Sequence, residues 1–87
     1  MYYLYILKSL VAARHYIGIA GNIENRLAKH NSGSVRSTKA YRPWQLIYTE
    51  SFVDKTAARK REIFFKKTSK ARKELLDRID EASSSNG

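Results

Sequence analysis

Apolar and aromatic side chains occupy both alternating sets of positions in residues 2–8, Tyr-Tyr-Leu-Tyr-Ile-Leu-Lys. That pattern predicts a β-strand covered on both faces. A short loop over 9–14 leads to a second strand over 15–19, closing a hairpin, and Gly21-Asn22 breaks the pattern. Ile23 and Leu27 then repeat at i, i+4, which predicts a helix. Asn22 suits its N-cap, Glu24 suits the positive end of its dipole, and Gly33 follows as a terminator after a stop near Asn31. Residues 34–42 form a basic loop. Pro43 opens a third strand over 44–52, where a lost ladder bond costs little. Asp54 is placed to cap a helix to about Lys67, Thr68-Ser69 marks a break, and a last helix over about 70–79 turns Ala71, Leu75, Leu76 and Ile79 inward. The order β-β-α-β-α-α predicts a small mixed sheet packed with helices, an α+β or α/β sandwich in one domain over 1–80. Residues 81–87, ending in Ser83 to Gly87, read as a disordered polar tail.

Charge sharpens this picture. The 87 residues carry 17 Lys and Arg against 8 Asp and Glu, a net charge of +9. A field of that sign on so small a domain concentrates polyanions, and nucleic acid is the commonest such partner. The bland alternative is that the charge serves solubility. With no cysteine, disulfides, thiolate zinc sites and a Cys nucleophile are excluded, which suits a reducing cytoplasm. The first residues lack the pattern of a secretory signal, and no apolar run approaches the roughly 20 residues that span a bilayer. The expectation is a cytoplasmic protein with no membrane partner.

Residues 55–73 hold nine basic residues and one acid, Glu62. Helical spacing puts Glu62 on one face with Ala58 and Phe65, among apolar neighbours, where an unpaired carboxylate is costly. A salt bridge to a neighbouring Arg, or snorkelling to the rim, is one reading; a divalent-metal ligand completed by waters and a substrate phosphate is the other. Arg26 and His30, at i, i+4, are expected at the edge of the helix–sheet interface. Arg can grip a phosphate and His can move a proton near neutral pH, but a solvated Arg and a dipole-favoured C-terminal His fit equally. Tyr5 and Tyr16 lie on the two hairpin strands and share a face only if paired residue numbers sum to an odd number. Each is either a packing residue or, with its pKa lowered by positive charge, a group that orients or deprotonates a water. P-loop, zinc and dinucleotide-binding patterns are absent, and His15, without an evident partner, reads as surface or packing.

Together these positions resemble the GIY-YIG endonuclease family, closest to its small stand-alone members. Tyr16-Ile17-Gly18 matches the second half-motif, and Tyr3-Leu4-Tyr5 the first, without its glycine. Arg26 stands ten residues after Tyr16, His30 four later, and Glu62 at the spacing of the family's metal-binding glutamate. His30-Asn31-Ser32-Gly33, Thr38, Pro43-Trp44 and the run Ala58 to Glu62 are similar as well, so the likeness covers about residues 2–79. Thr68 stands where small members often carry an aromatic, and the asparagine that many members have after the glutamate is not placed. The resemblance implies a three-stranded antiparallel sheet flanked by helices and cleavage of DNA phosphodiesters with Mg²⁺ or Mn²⁺, with no small-molecule cofactor. In it Glu62 holds the metal on the leaving-group side, Arg26 stabilises the charge building on the scissile phosphate, Tyr16 orients or deprotonates the attacking water, Tyr5 helps position that water or the phosphate, and His30 assists the proton relay by accepting from a tyrosine hydroxyl. Binding to DNA phosphates is expected from Arg36, Lys39 and Arg42 in the loop, and from Lys55, Arg59, Lys66, Lys67 and Lys70 beyond it. Such contacts carry no sequence information, so selectivity for DNA structure, a repair or recombination role, and a protein partner supplying specificity are expected. A non-catalytic binding module, or an adaptor in a larger repair complex, is the alternative.

Overall fold

The computed structural model describes residues 1–84. Its strands are β1 (Tyr2–Ser9), β2 (His15–Ala20) and β3 (Trp44–Phe52), and its helices α1 (Ile23–Ser32), α2 (Lys55–Lys67) and α3 (Ser69–Ser84), with one 3₁₀ turn at Lys39–Tyr41. The element order and the three-stranded antiparallel sheet agree with expectation. The sheet is not mixed. β1 is its centre, in the order β2-β1-β3, and both neighbours run antiparallel to it. The hairpin imposes one of those directions, and the long connection through α1 returns β3 to the other edge of β1.

A central strand is covered on both faces, which is why residues 4–7 are all buried. Leu4 and Ile6 point to a core with Ile17 and Phe65, closed by Ala71, Leu75, Leu76 and Ile79 of α3. Tyr5 and Leu7 point the other way, to Ala20 and Trp44, closed by Ile23 and Leu27 of α1 and by Tyr41. Local capping sets the helix ends. The Asn22 side chain accepts from the Asn25 N–H, and Asp54 accepts from Ala57. Gly33 ends α1 in the left-handed region at φ 86°, a conformation with little cost only for glycine.

The last helix departs from the sequence reading. α3 runs past Ile79 to Ser84, so the expected polar tail is helical as far as that residue. Asp80, Glu81 and Ala82 tolerate helix, and neither Gly nor Pro stops it. Residues 85–87 of the expected tail lie outside the described residues.

Candidate active site

The register of β1 against β2 places the two tyrosines. Tyr5 pairs with Gly18 and Leu7 with Tyr16, so paired numbers sum to an odd value and Tyr5 and Tyr16 share the α1 face. Their ring centroids lie 6.1 Å apart. Gly18 makes room for them. A Cβ there would stand 2.7 Å from the Tyr5 hydroxyl and 2.9 Å from Cε1 of Tyr16. The glycine inside a strand was the available signal for this close approach, which the sequence reading used only as part of a motif.

His30, in the last turn of α1, does not emerge at an edge as expected: it is 0% exposed. Its Nε2 lies 3.0 Å from the Tyr5 hydroxyl and its Nδ1 lies 2.8 Å from Oγ1 of Thr38. The Thr38 hydroxyl donates to the Val35 carbonyl at 3.3 Å. Its oxygen therefore accepts from Nδ1–H, and the network assigns Nε2 as the acceptor for the Tyr5 O–H. Thr38 is held in turn by Trp44, whose Nε1 donates to the Thr38 carbonyl at 2.9 Å. Asn31 brackets the Trp44 backbone, accepting from its N–H and donating to its carbonyl. The basic loop thus folds back to press one neutral hydroxyl against the histidine. Sequence reading missed this role of Thr38, because a contact across an irregular loop has no period to betray it.

Arg26 sits one turn before His30 and faces the same groups. Burial pushes the Tyr5 pKa up to about 12, the neighbouring Tyr16 adds to the rise, and the hydrogen bond and charge of Arg26 only partly oppose it. Tyr5 therefore keeps its proton near neutrality. Burial lowers the His30 pKa, and the Arg26 charge lowers it further, so His30 is neutral there too. Glu62 reaches the cluster from α2, where its charge also raises the Tyr5 pKa. Its side chain is 13% exposed and lies between the buried Ala58 and Phe65, with Oε2 3.1 Å from Nζ of Lys66. The ion pair is thus made with Lys66, one turn on, and not with the neighbouring Arg that was expected. The Tyr16 and His30 rings are 4.7 Å apart, so Tyr5, Tyr16 and His30 pack together, and Arg26 and Glu62 both act on the Tyr5 hydroxyl through their charges.

Among the described residues no three His, Cys, Asp or Glu side chains are placed to share a metal ion. Glu62 is the one acid in the cluster, and both His30 nitrogens are engaged. That donor set fits a hard cation that keeps most of its ligands as water and substrate oxygen, as Mg²⁺ or Mn²⁺ does.

The basic residues divide. Lys55 lines a pocket with Arg26 and Lys29, and Lys66 one with Tyr16, Arg14 and Arg72. Lys70 lines a neighbouring hollow with Arg72. Arg36, Lys39 and Arg42 cluster by sequence at the loop after α1, where the Arg42 guanidinium lies over Gly33. Arg59 and Lys67 are exposed on α2 and line neither pocket.

The buried neutral His30 has a measurable consequence. Its folded pKa is below its unfolded value, so between the two the unfolded chain binds the extra proton. Stability is then complete above about pH 6.5, the unfolded pKa, and is lost as pH falls from there toward the folded pKa. Urea midpoints for the wild type should drop on that limb. His30→Gln, which keeps donors and acceptors for Tyr5 and Thr38, should flatten it. His15, lowered by partial desolvation and by the Lys8 charge, contributes to the same limb, and His15→Ala removes that part. An unchanged limb in His30→Gln sinks the assignment.

A family model described as the GIY-YIG catalytic domain matches residues 1–75, which include all five clustered side chains. The chain belongs to the GIY-YIG family. That is a family of nucleases, which act on nucleic acid. A UPF0213 protein of Lactiplantibacillus plantarum is 43% identical over 76 residues, covering 83% of this chain and 73% of the relative. One of Staphylococcus saprophyticus is 42% identical, covering 83% and 88%. The solution structure of a UPF0213 protein from Bacillus halodurans superposes with a TM-score of 0.55 at 31% identity, covering 91% of this chain and 85% of that one. In the first half-motif the position without glycine is Tyr3, a half-buried residue paired with Ala20 of β2, while Leu4 stands at the isoleucine position and is wholly buried in the core under α2 and α3. No helix among the described residues is long and apolar enough to cross a membrane.

Proposed function

We propose that this GIY-YIG protein is a cytoplasmic, divalent-metal-dependent DNA endonuclease that hydrolyses phosphodiester bonds. The observation that carries the reading is the packing of Tyr5, Tyr16 and His30 together with the charges of Arg26 and Glu62 acting on Tyr5. Glu62 would hold Mg²⁺ or Mn²⁺, which supplies charge stabilisation to the phosphate and the leaving oxygen. Arg26, the one cation directed at both Tyr5 and His30, binds the scissile phosphate and meets the charge that builds on it. Tyr16 orients or deprotonates the attacking water. Tyr5 keeps its proton, donates it in a hydrogen bond to His30, and presents its oxygen to the water or the phosphate. Neutral His30, with its tautomer set by Thr38, holds that hydroxyl in one orientation. The reaction demands placement and charge more than covalent chemistry, and a buried, hydrogen-bonded cluster supports both. Phosphate contacts from the surrounding Lys and Arg carry no base information, so selectivity rests on DNA structure, with repair or recombination as the setting and a protein partner as the source of further specificity.

The test is metal removal. Wild-type protein is incubated with plasmid, flap, branched and single-stranded DNA, each with Mg²⁺, Mn²⁺ or EDTA. Cutting with metal, lost in EDTA while binding persists, is the expected result, and the preferred DNA is read from the same gel. Binding with no cutting under either metal would leave a binding module or adaptor that retains the fold.

A further inference from the structure

We propose that a single nucleic-acid strand runs along the outer edge of β2, with one nucleotide seated in a basic pocket on each side of the reacting phosphate. The inference rests on the nucleic-acid reading above and names the strand state and the path of that substrate. β2 is an edge strand with β1 as its only neighbour in the sheet. At its Ala20 end a pocket of about 280 Å³ is lined by Tyr2, Arg26, Lys29 and Lys55. At its His15 end a second, about 400 Å³, is lined by Arg14, Tyr16, Lys66 and Arg72. Arg26 belongs to the first and Tyr16 to the second, and both belong to the catalytic cluster. The cluster therefore lies between the pockets, which are separated by the length of β2, roughly 17 Å at the usual rise per residue. Neither pocket is lined by an Asp or Glu.

Two features favour one strand over a duplex. Each pocket is near the lower end of the volumes that hold a small organic ligand, on the order of a single nucleotide. Each also sets a half-buried tyrosine, Tyr2 or Tyr16, among its bases. Aromatic faces alternating with positive charge are how single strands are held, because a splayed base stacks while its phosphate is neutralised. Stacked, paired bases cannot offer a ring face to both tyrosines. The path also sorts the basic residues. Lys55 and Lys66 of the expected set lie on it, together with Arg14, Lys29 and Arg72, which the sequence reading did not select.

Fluorescence anisotropy in EDTA, where no cutting occurs, tests the path. The probes are a labelled single-stranded oligonucleotide and the duplex of the same sequence. The variants are Lys29→Ala/Lys55→Ala for one pocket and Arg14→Ala/Arg72→Ala for the other. Lys60→Ala/Arg78→Ala is the control that removes the same charge from exposed positions off the path. The single strand should bind at least about tenfold tighter than the duplex, and each pocket pair should weaken it about tenfold with a salt slope lower by about 1.4. The control should change affinity by less than about threefold. Duplex bound as tightly as the single strand, or a control loss equal to the pocket losses, overturns the path. The nuclease reading is scored separately, with metal. Pocket-dependent binding without cutting upholds the path and ends the nuclease reading. Duplex cutting at undiminished rate by both pocket variants does the reverse.

Discussion

Arg26→Ala should lose about a thousandfold in single-turnover cleavage, the scale expected when a cation that meets developing phosphate charge is removed. Arg26→Lys should recover little of it, since an ammonium cannot replace the two-pronged guanidinium grip. The loss should not be a folding defect. Arg26 is half-buried and makes no salt bridge among the described residues, so its removal should cost less than about 1 kcal/mol in urea unfolding. A second readout ties the residue to the cluster. Arg26 helps keep the His30 pKa low, so its loss should let that pKa rise and shift the acid limb of stability toward the unfolded value. Glu62→Ala makes the opposite test of binding. Cleavage should vanish, but DNA should bind as well or more tightly, because a negative charge leaves the phosphate site. Equal, small losses of cleavage in both variants would remove the catalytic roles assigned to them.

Much of the architecture was legible because it follows local rules. Asn22, Asp54 and Gly33 act as caps through bonds made within a few residues, and the two-sided apolar run at 2–8 becomes a central strand because no other position buries both faces. What was not legible depends on distant partners. Antiparallel pairing across the whole sheet was expected only through the family resemblance, because the residues alone do not show that β3 joins the free edge of β1. The extent of α3 beyond Ile79 has no local stop signal to mark it. In the site, spacing singled out Tyr5, Tyr16, Arg26, His30 and Glu62, but not their burial. His30 looked like a helix-end residue and is the most enclosed polar group of the cluster, because Thr38 and Tyr5 satisfy both ring nitrogens. Lys55 and Lys66 were separated from Arg59 and Lys67 only by which side chains of α2 line the pockets at the two ends of β2, a distinction that needs the helix docked. The expected lowering of a tyrosine pKa by positive charge fails for Tyr5 for a similar reason: burial outweighs Arg26.

Gly18→Ala should disable the protein in two measurable ways, although it adds a single methyl group. That methyl would sit 2.7 Å from the Tyr5 hydroxyl and 2.9 Å from both the Tyr5 Cζ and the Tyr16 Cε1. Flexible side chains yield to such a contact, but these do not. Tyr5 is 1% exposed and bonded to His30, which is itself fixed by Thr38, so its ring has no space to retreat into. The strand must shift instead, or the tyrosine must leave its hydrogen bond. Overpacking of this kind costs about 1–3 kcal/mol, seen as a lower urea midpoint. Cleavage should fall further than stability explains, by about a hundredfold in conditions where the variant is fully folded, because displacement near 1 Å at reacting groups carries a cost of that size. Tyr5→Phe separates the two effects. It deletes the hydroxyl that the methyl meets first, so Gly18→Ala in the Tyr5→Phe background should cost less stability than in the wild type, a coupling that a double-mutant cycle reads directly. If the two substitutions add without coupling, the crowding of Gly18 by Tyr5 is not what holds the tyrosine in place.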